Sequence, residues 1–171
     1  SGCPWDDDTT TAAAVEGHVR VLEWAIDNGC PVGEGAMIYA ADGGHLDAVK
    51  CLLAHGCEWN EHCSHHAARC GHVDVLKYVH IDMEGAHDMY GQGVLYAAAE
   101  GGKVEVLKWL QEGGLLPGAD TLNIARDVSL EKGDNELLRW CAAAGCPWDE
   151  TACEAAARYN DLEALKYLHE R

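Results

Sequence analysis

Apolar residues recur at helical spacing in short segments along this chain, and glycines separate one segment from the next. Such spacing predicts short helices, each with one apolar face that needs a neighbouring element to cover it. No recurring alternation of β-branched residues calls for a sheet. Two examples of the helical spacing are Val21, Leu22, Ala25 and Ile26, and, later in the chain, Val106, Leu107 and Leu110.

A Gly-His-(Val/Leu) segment begins three of these apolar stretches at one fixed interval. The three copies begin at Gly17, Gly44 and Gly71, 27 residues apart. Related segments continue the repeat to the end of the chain, and an alanine-rich stretch precedes most of them. Each unit therefore reads as two short helices, the first rich in small residues that let neighbouring backbones approach closely. The six anchors are Gly17, Gly44, Gly71, Gly102, Gly133 and Asn160.

A pair of helices this short cannot cover both of its apolar faces, so the units must stack on one another. The sequence predicts an all-α solenoid of about six helix-turn-helix repeats, forming a single domain over residues 1–171. Two units depart from the common length. The connection between His80 and Gly93 is longer than its counterparts, and the stretch from Thr121 to Gly133 predicts an extended first helix.

Several segments resemble the consensus of ankyrin repeats. They are Ala-Ala-x-x-Gly-His at 40–45 and 67–72, Asp-Thr-Leu near 120, and Gly-Cys-Pro-Trp-Asp at 145–149. Ankyrin units usually run to 33 residues, and the residues missing here fall where the family has a β-hairpin finger. The resemblance thus implies an ankyrin-like solenoid mostly without fingers. Short repeats with Cys-Pro-Trp are similar to those of giant DNA viruses of amoebae and of some protists.

The resemblance implies a non-catalytic scaffold for protein–protein interaction. Two alternatives stay open: the substrate-recognition arm of a larger adaptor such as a ubiquitin-ligase receptor, or an architectural or virion component. The chain begins inside a repeat, so we expect a fragment of a longer protein. The expected location is the cytoplasm, which would be the host cytoplasm if the protein is viral.

An acidic position stands just before the predicted first helix of each unit. Carboxylates near a helix N-terminus are stabilised by the backbone dipole, by about 0.3–1 kcal/mol each, and this could explain the pattern alone. The alternative is that the positions line the concave face that ankyrin proteins use for binding. We call these six positions the acidic column: Asp7, Glu34, Glu61, Gln92, Asp120 and Glu150.

The end of the first helix is a second candidate contact region, because the ankyrin family varies there and contacts its partners there. This assignment is carried over from the resemblance. The residues at these positions are Glu16, Asp42, Arg69, Glu100, Lys132 and Tyr159.

Twelve basic residues against 29 acidic ones give the chain a formal net charge of −17. Binding of nucleic acid by neutralising phosphates is excluded on this balance, because the phosphate backbone would be repelled. A protein partner with a basic patch fits it better, since charge steers association.

No apolar run approaches the roughly 20 residues of a membrane span. A monomer is favoured.

The nine cysteines do not read as a disulfide framework. Four of them, Cys3, Cys30, Cys57 and Cys146, occupy one position of the repeat, where a small buried apolar residue is expected. An odd number of cysteines also argues against complete pairing. A reducing cytosol fits this usage better.

A possible zinc site lies in the third unit. If this stretch is helical, His62, His66 and Cys70 fall on one face at intervals of four residues. The stretch lacks the paired Cys-x-x-Cys spacing that makes such a site specific, so we predict no metal and no cofactor. The sequence also has no phosphate-binding glycine loop, Gly-x-Ser-x-Gly or HExxH, and we predict no enzymatic activity.

The tryptophans recur by position in the repeat, which indicates packing between units. Trp24, Trp109 and Trp140 share one position of the second helix. Trp5, Trp59 and Trp148 share another position of the repeat. Trp5 is the first of these three, and we expect it to be partly exposed.

Overall fold

The protein is all-α within the part of the chain that the structure describes. The structure, a computed structural model, describes residues 5–82, 91–145, 150–158, 160 and 162–170. These residues form twelve helices and no strand, so they contain no β-hairpin finger. The predicted succession of helix pairs is confirmed. Contacts divide the chain into two compact units, Ser1–Tyr90 and Gly91–Arg171, and the grouping of all repeats into one domain stays a prediction.

The first unit consists of three helix pairs arranged in two layers. The first helices of the pairs, α1, α3 and α5, pack side by side in one layer, and the second helices, α2, α4 and α6, pack in the other. The six helices are α1 (Asp7–Val15), α2 (Val19–Asp27), α3 (Ala36–Asp42), α4 (Leu46–Ala54), α5 (Glu61–Cys70) and α6 (Val73–Asp82).

The second unit repeats this arrangement. Its first helices, α7, α9 and α11, form one layer, and α8, α10 and α12 form the other. The first helix of its middle pair has 14 residues, which confirms the predicted extension. The six helices are α7 (Gln92–Gly101), α8 (Val104–Glu112), α9 (Ala119–Lys132), α10 (Asn135–Ala143), α11 (Glu150–Arg158) and α12 (Leu162–His169).

The core of each unit lies between its two layers. One large leucine from each second helix of the first unit is fully buried there, namely Leu22, Leu52 and Leu76. The first helices contribute alanines instead, such as Ala14 and Ala41, which are also fully buried. Because alanine adds so little volume, the first helices can pack closely, as the alanine-rich stretches predict.

The Gly-His segments join consecutive repeats of the first unit. The Nε2 atom of His45 donates a hydrogen bond to the carbonyl oxygen of Val15 at 2.9 Å, and Nε2 of His72 donates to that of Asp42 at 2.7 Å. Each histidine therefore supplies a donor to a carbonyl at the end of the preceding first helix, where intrahelical partners run out. His45 and His72 therefore have a structural role between consecutive repeats.

The tryptophan predictions hold in part. Trp59 and Trp140 are each 5% exposed, and Trp5 is 38% exposed as expected. The prediction is wrong for Trp24, which is 59% exposed. Equivalence by position shows which residues correspond between repeats, but burial also requires a neighbour, and Trp24 lies on a face of α2 that no described helix covers.

The cysteine column is described at two of its four positions. Cys30 is buried, and its thiol donates to the carbonyl oxygen of Asp6 at 3.1 Å. Cys57 is half-buried. Cys3 and Cys146 lie outside the described residues, as do most positions of the long connection between His80 and Gly93.

Candidate protein-binding surface

The acidic column lies at the N-terminal ends of the first helices. Four members are the first residue of their helix, Asp120 is the second residue of α9, and Glu34 precedes α3 by two residues. The four first residues are Asp7, Glu61, Gln92 and Glu150. The side chains of all members except Glu150, whose side chain is not described, are exposed.

The carboxylates of the column in the first unit are largely free to meet a partner. Among the described residues, neither Asp7 and Glu34 nor Asp8, the exposed neighbour of Asp7 on α1, forms an ion pair. The carboxylate of Glu61 lies 3.5 Å from Nε2 of His65. The helix dipole favours negative charge at these ends. It does not neutralise that charge, so the layer of first helices presents exposed carboxylates at one end.

An exposed tyrosine lies beside these carboxylates. Tyr39 on α3 is 49% exposed. A Cβ atom at Gly35 would lie 2.8 Å from Cε2 of Tyr39, so the ring rests against the glycine that follows Glu34. Tyrosine is enriched in protein interfaces and among the residues that contribute most to binding. Tyr39 was not predicted from the sequence, although an aromatic residue at a position where other repeats carry alanine, histidine or valine was a usable signal.

Gln92, the one member of the acidic column that is not acidic, has a structural role in the second unit. The side-chain amide of Gln92 donates to the carbonyl oxygen of Leu116 at 2.7 Å, and its Oε1 accepts from the backbone N–H of Gly118 at 2.9 Å. Glutamate could accept the second bond but could not donate the first. Gln92 therefore fixes the connection that leads into α9.

Gln92 and Gly118 also line a shallow pocket in the second unit. It has a volume of about 310 Å³, and the exposed Tyr96 and Asp120 stand at its wall. A tyrosine beside an exposed carboxylate thus occurs in both units. The pocket is lined by Gln92, Gly93, Tyr96, Gly118, Ala119, Asp120 and Thr121.

A cluster of polar side chains closes the C-terminal ends of α3 and α5. Oδ1 of Asp42 accepts a hydrogen bond from Nδ1 of His66 at 2.8 Å and another from the thiol of Cys70 at 3.3 Å. The guanidinium of Arg69 lies 3.7 Å from the same oxygen. Two predicted contact residues, Asp42 and Arg69, therefore meet each other, and the carboxylate is engaged within the protein.

The cluster lowers the pKa of Asp42 below its ordinary value of 3.8. The hydrogen bond from His66 is the main cause; partial burial opposes it, and the bond from Cys70 adds to it. The zinc candidates His66 and Cys70 thus converge, but on Asp42, while His62 is exposed one turn away. Within the described residues no group of three His, Cys, Asp or Glu side chains is arranged to hold a metal ion.

The other predicted contact residues at the helix ends are separate from this cluster. Glu16 and Glu100 are exposed. Nζ of Lys132 lies 3.5 Å from the carbonyl oxygen of Gly101, at the end of α7. A cation is favoured there by the helix dipole, so Lys132 has a structural contact as well as an exposed position. Tyr159 lies outside the described residues.

We expect replacement of His66 by alanine to raise the pKa of Asp42 towards 3.8, because the main group that stabilises its ionised form is removed. Since the folded-state pKa is lowered, the carboxylate's contribution to stability is present above pH 3.8 and is lost as the pH falls through the folded-state value. Carboxyl-carbon NMR titration gives the pKa of Asp42, and urea unfolding at pH values above and below 3.8 gives the contribution to stability. His62→Ala, one turn earlier on α5, is the control and should leave Asp42 unchanged; an equal shift in both variants would contradict the assignment.

Comparison with known proteins finds a similarity over part of the chain. Residues 10–87 match the family model described as ankyrin repeats (3 copies). This segment covers under half of the chain and falls within the first unit. A search of curated proteins finds no match. Ankyrin repeats are generally protein–protein interaction modules and are typically non-enzymatic. None of the described helices is long and apolar enough to cross a bilayer.

Proposed function

We propose that the protein is a non-catalytic scaffold that binds a protein partner through the N-terminal ends of its first helices. The observation that supports this most directly is the set of exposed carboxylates without ion pairs, Asp7, Asp8 and Glu34, beside the exposed ring of Tyr39. The ring offers apolar contact area at little cost in conformational entropy, and the carboxylates select a basic partner.

The partner that fits this surface has a basic patch beside an apolar pocket or groove. Charge on the rim of an interface mainly changes the rate of association and the dependence on salt, whereas a central aromatic residue mainly changes the rate of dissociation. The net charge of −17 extends the attraction beyond the contact itself. The cytoplasmic location predicted from cysteine usage is kept in this proposal, since Cys30 and Cys63 are buried thiols outside any disulfide.

We expect the double variant Glu34→Lys/Glu61→Lys to bind basic partners more weakly, by about tenfold, chiefly through a slower association rate. The measurement starts with a displayed peptide library selected on the unmodified protein, followed by binding kinetics of the selected peptides at low and moderate salt. Tyr39→Ala should instead speed dissociation by about tenfold.

The matched control is Asp74→Lys/Glu112→Lys, which changes the net charge equally but places the new lysines on second helices. If both double variants lose the same affinity, the effect is one of overall charge and the proposed surface is wrong. Selected peptides without basic residues, or kinetics that Glu34→Lys/Glu61→Lys and Tyr39→Ala leave unchanged, would also reject it.

A further inference from the structure

The pocket between α7 and α9 has the size and the lining of a site for one side chain. Its volume of about 310 Å³ is at the small end of the range for ligand pockets in proteins. Two of its lining residues are glycines, Gly93 and Gly118, so no side chain from either position occupies the space. Tyr96, which is 41% exposed, is the largest side chain of the lining. The pocket therefore offers an aromatic wall to a group that enters from outside.

Hydrogen bonds within the second unit hold this pocket in shape. The side chain of Gln92, at the start of α7, binds the backbone of Leu116 and Gly118 in the connection that leads into α9. A Cβ atom at Gly118 would lie 3.2 Å from Oε1 of Gln92, so the connection packs closely against the amide. A wall that is already fixed loses little conformational entropy when a ligand binds to it.

Three hydrogen-bond acceptors at the pocket lack a full set of partners. Among the described residues, the exposed carboxylate of Asp120 forms neither an ion pair nor a hydrogen bond. Thr121 is only 2% exposed, yet its hydroxyl has no hydrogen-bond partner in the same part of the chain. Oε1 of Gln92 accepts one bond and has a second lone pair. A buried polar group without a partner costs free energy, so the pocket favours a ligand that carries several donors.

The charges around the pocket favour a cation. Asp120 is the one charged side chain of the lining, and the second unit has 14 acidic residues against eight basic ones. The dipoles of α7 and α9 place about half a positive charge at each helix end, but that charge lies on the backbone, whereas the carboxylate of Asp120 is exposed. An anionic ligand would meet this carboxylate and the acidic surface around it.

We propose that this pocket receives an arginine side chain of the protein partner; the inference rests on the proposed function and specifies one residue of the basic patch. The guanidinium is planar and can lie against the ring of Tyr96. Its five N–H groups are enough to reach both the carboxylate of Asp120 and the hydroxyl of Thr121. The ammonium of lysine is compact and more strongly hydrated, so it matches this combination of a ring and acceptors less well.

Titration of the protein with short peptides at low salt, followed by the backbone amide NMR signals, tests the proposal. The probe is the tripeptide Gly-Arg-Gly with blocked termini, and it should shift the signals of Gly93 and Gly118 most. Citrulline in place of arginine keeps the shape without the charge, and we expect it to raise the dissociation constant at least about tenfold. Lysine in place of arginine should raise it about fivefold.

Variants of the pocket separate the contribution of the charge from that of the ring. Asp120→Asn should raise the dissociation constant of the arginine peptide about tenfold, because it neutralises the one charged group of the lining. Tyr96→Ala should raise it about fivefold, whereas Tyr96→Phe keeps the ring and should change it less than about twofold. Glu131→Gln is the matched control, since it removes the same charge from an exposed position at the other end of α9. Circular dichroism checks that each variant is folded.

Equal binding of the arginine and lysine peptides, or an equal loss in Asp120→Asn and Glu131→Gln, would overturn the proposal, because either result means that overall charge alone attracts the peptide. Shifts that are largest outside the pocket, or absent at every peptide concentration, would also overturn it. Glu34→Lys/Glu61→Lys, in the first unit, should change binding of the tripeptide less than about twofold. Failure at the pocket is therefore distinguishable from failure of the surface proposed in the first unit.

Discussion

Replacement of Leu52 by alanine will lower the free energy of unfolding by about 3 kcal/mol, within the usual range for a fully buried leucine. Leu52 lies between the two helix layers of the first unit and is 0% exposed. Truncation removes apolar surface from the core and leaves a cavity that the neighbouring helices can only partly fill. A nine-residue helix such as α4 is marginal in isolation, so it depends on this packing.

Leu53 provides the matched control for this substitution. It follows Leu52 directly on α4 but is only half-buried, so Leu53→Ala should cost about 1 kcal/mol, in line with the smaller area removed from the core. Urea unfolding followed by circular dichroism gives both values, and hydrogen exchange of the α4 amides shows where protection is lost. Equal costs for the two leucines would mean that the helix does not face the core as described.

The repeat period predicts the helix pairs because the features that define each pair lie close together in the sequence. Each apolar stripe, each alanine-rich stretch and each glycine between them is determined within about 30 residues of sequence, and stacking follows from the faces left uncovered. The extension of α9 follows in the same way from the spacing between Thr121 and Gly133. The position of the acidic column at helix N-termini is equally local, since a carboxylate is favoured there whatever surrounds it.

The features that the sequence did not reveal depend on contacts between repeats. His66 and Cys70 align on one helix face with His62, which suggested a metal, but the group that meets them is Asp42 of the preceding repeat. Trp24 shares its repeat position with the buried Trp140, yet it is 59% exposed because none of the described helices covers it. A period identifies equivalent positions; it does not show which neighbour each position has.

Gln92 illustrates the same limit at the candidate binding surface. In the sequence, Gln92 is the one uncharged residue of the acidic column, and nothing there explains it. In the structure, its side-chain amide forms hydrogen bonds with the backbone of both Leu116 and Gly118. That bridge depends on the course of a connection more than 20 residues later in the chain. The acidic column therefore combines exposed carboxylates, such as those of Asp7, Glu34 and Asp120, with one amide, that of Gln92, which has a structural role.

Gly44→Ala should also lower the free energy of unfolding strongly, by about 2–4 kcal/mol, for two separate reasons. Gly44 has a φ of +69°, in the left-handed region that costs other residues about 1–2 kcal/mol. A Cβ atom there would also lie 2.2 Å from Nδ1 of His72. The ring would have to move, and the hydrogen bond from its Nε2 to the carbonyl oxygen of Asp42 would be weakened, which adds about 1–2 kcal/mol.

Gly56 separates these two causes. Its φ is +84°, but no atom lies within 4 Å of the site of an added Cβ, so Gly56→Ala should cost only the backbone strain, about 1–2 kcal/mol. In a His72→Ala background Gly44→Ala should cost the same as Gly56→Ala, because the ring with which the Cβ collides is gone. Urea unfolding of the unmodified protein, Gly44→Ala, His72→Ala and the variant with both substitutions gives the coupling free energy between Gly44 and His72. Additive costs would mean that the Gly-His segments recur for turn geometry alone; a coupling of about 1–2 kcal/mol would mean that each glycine is selected to admit the histidine of the next repeat.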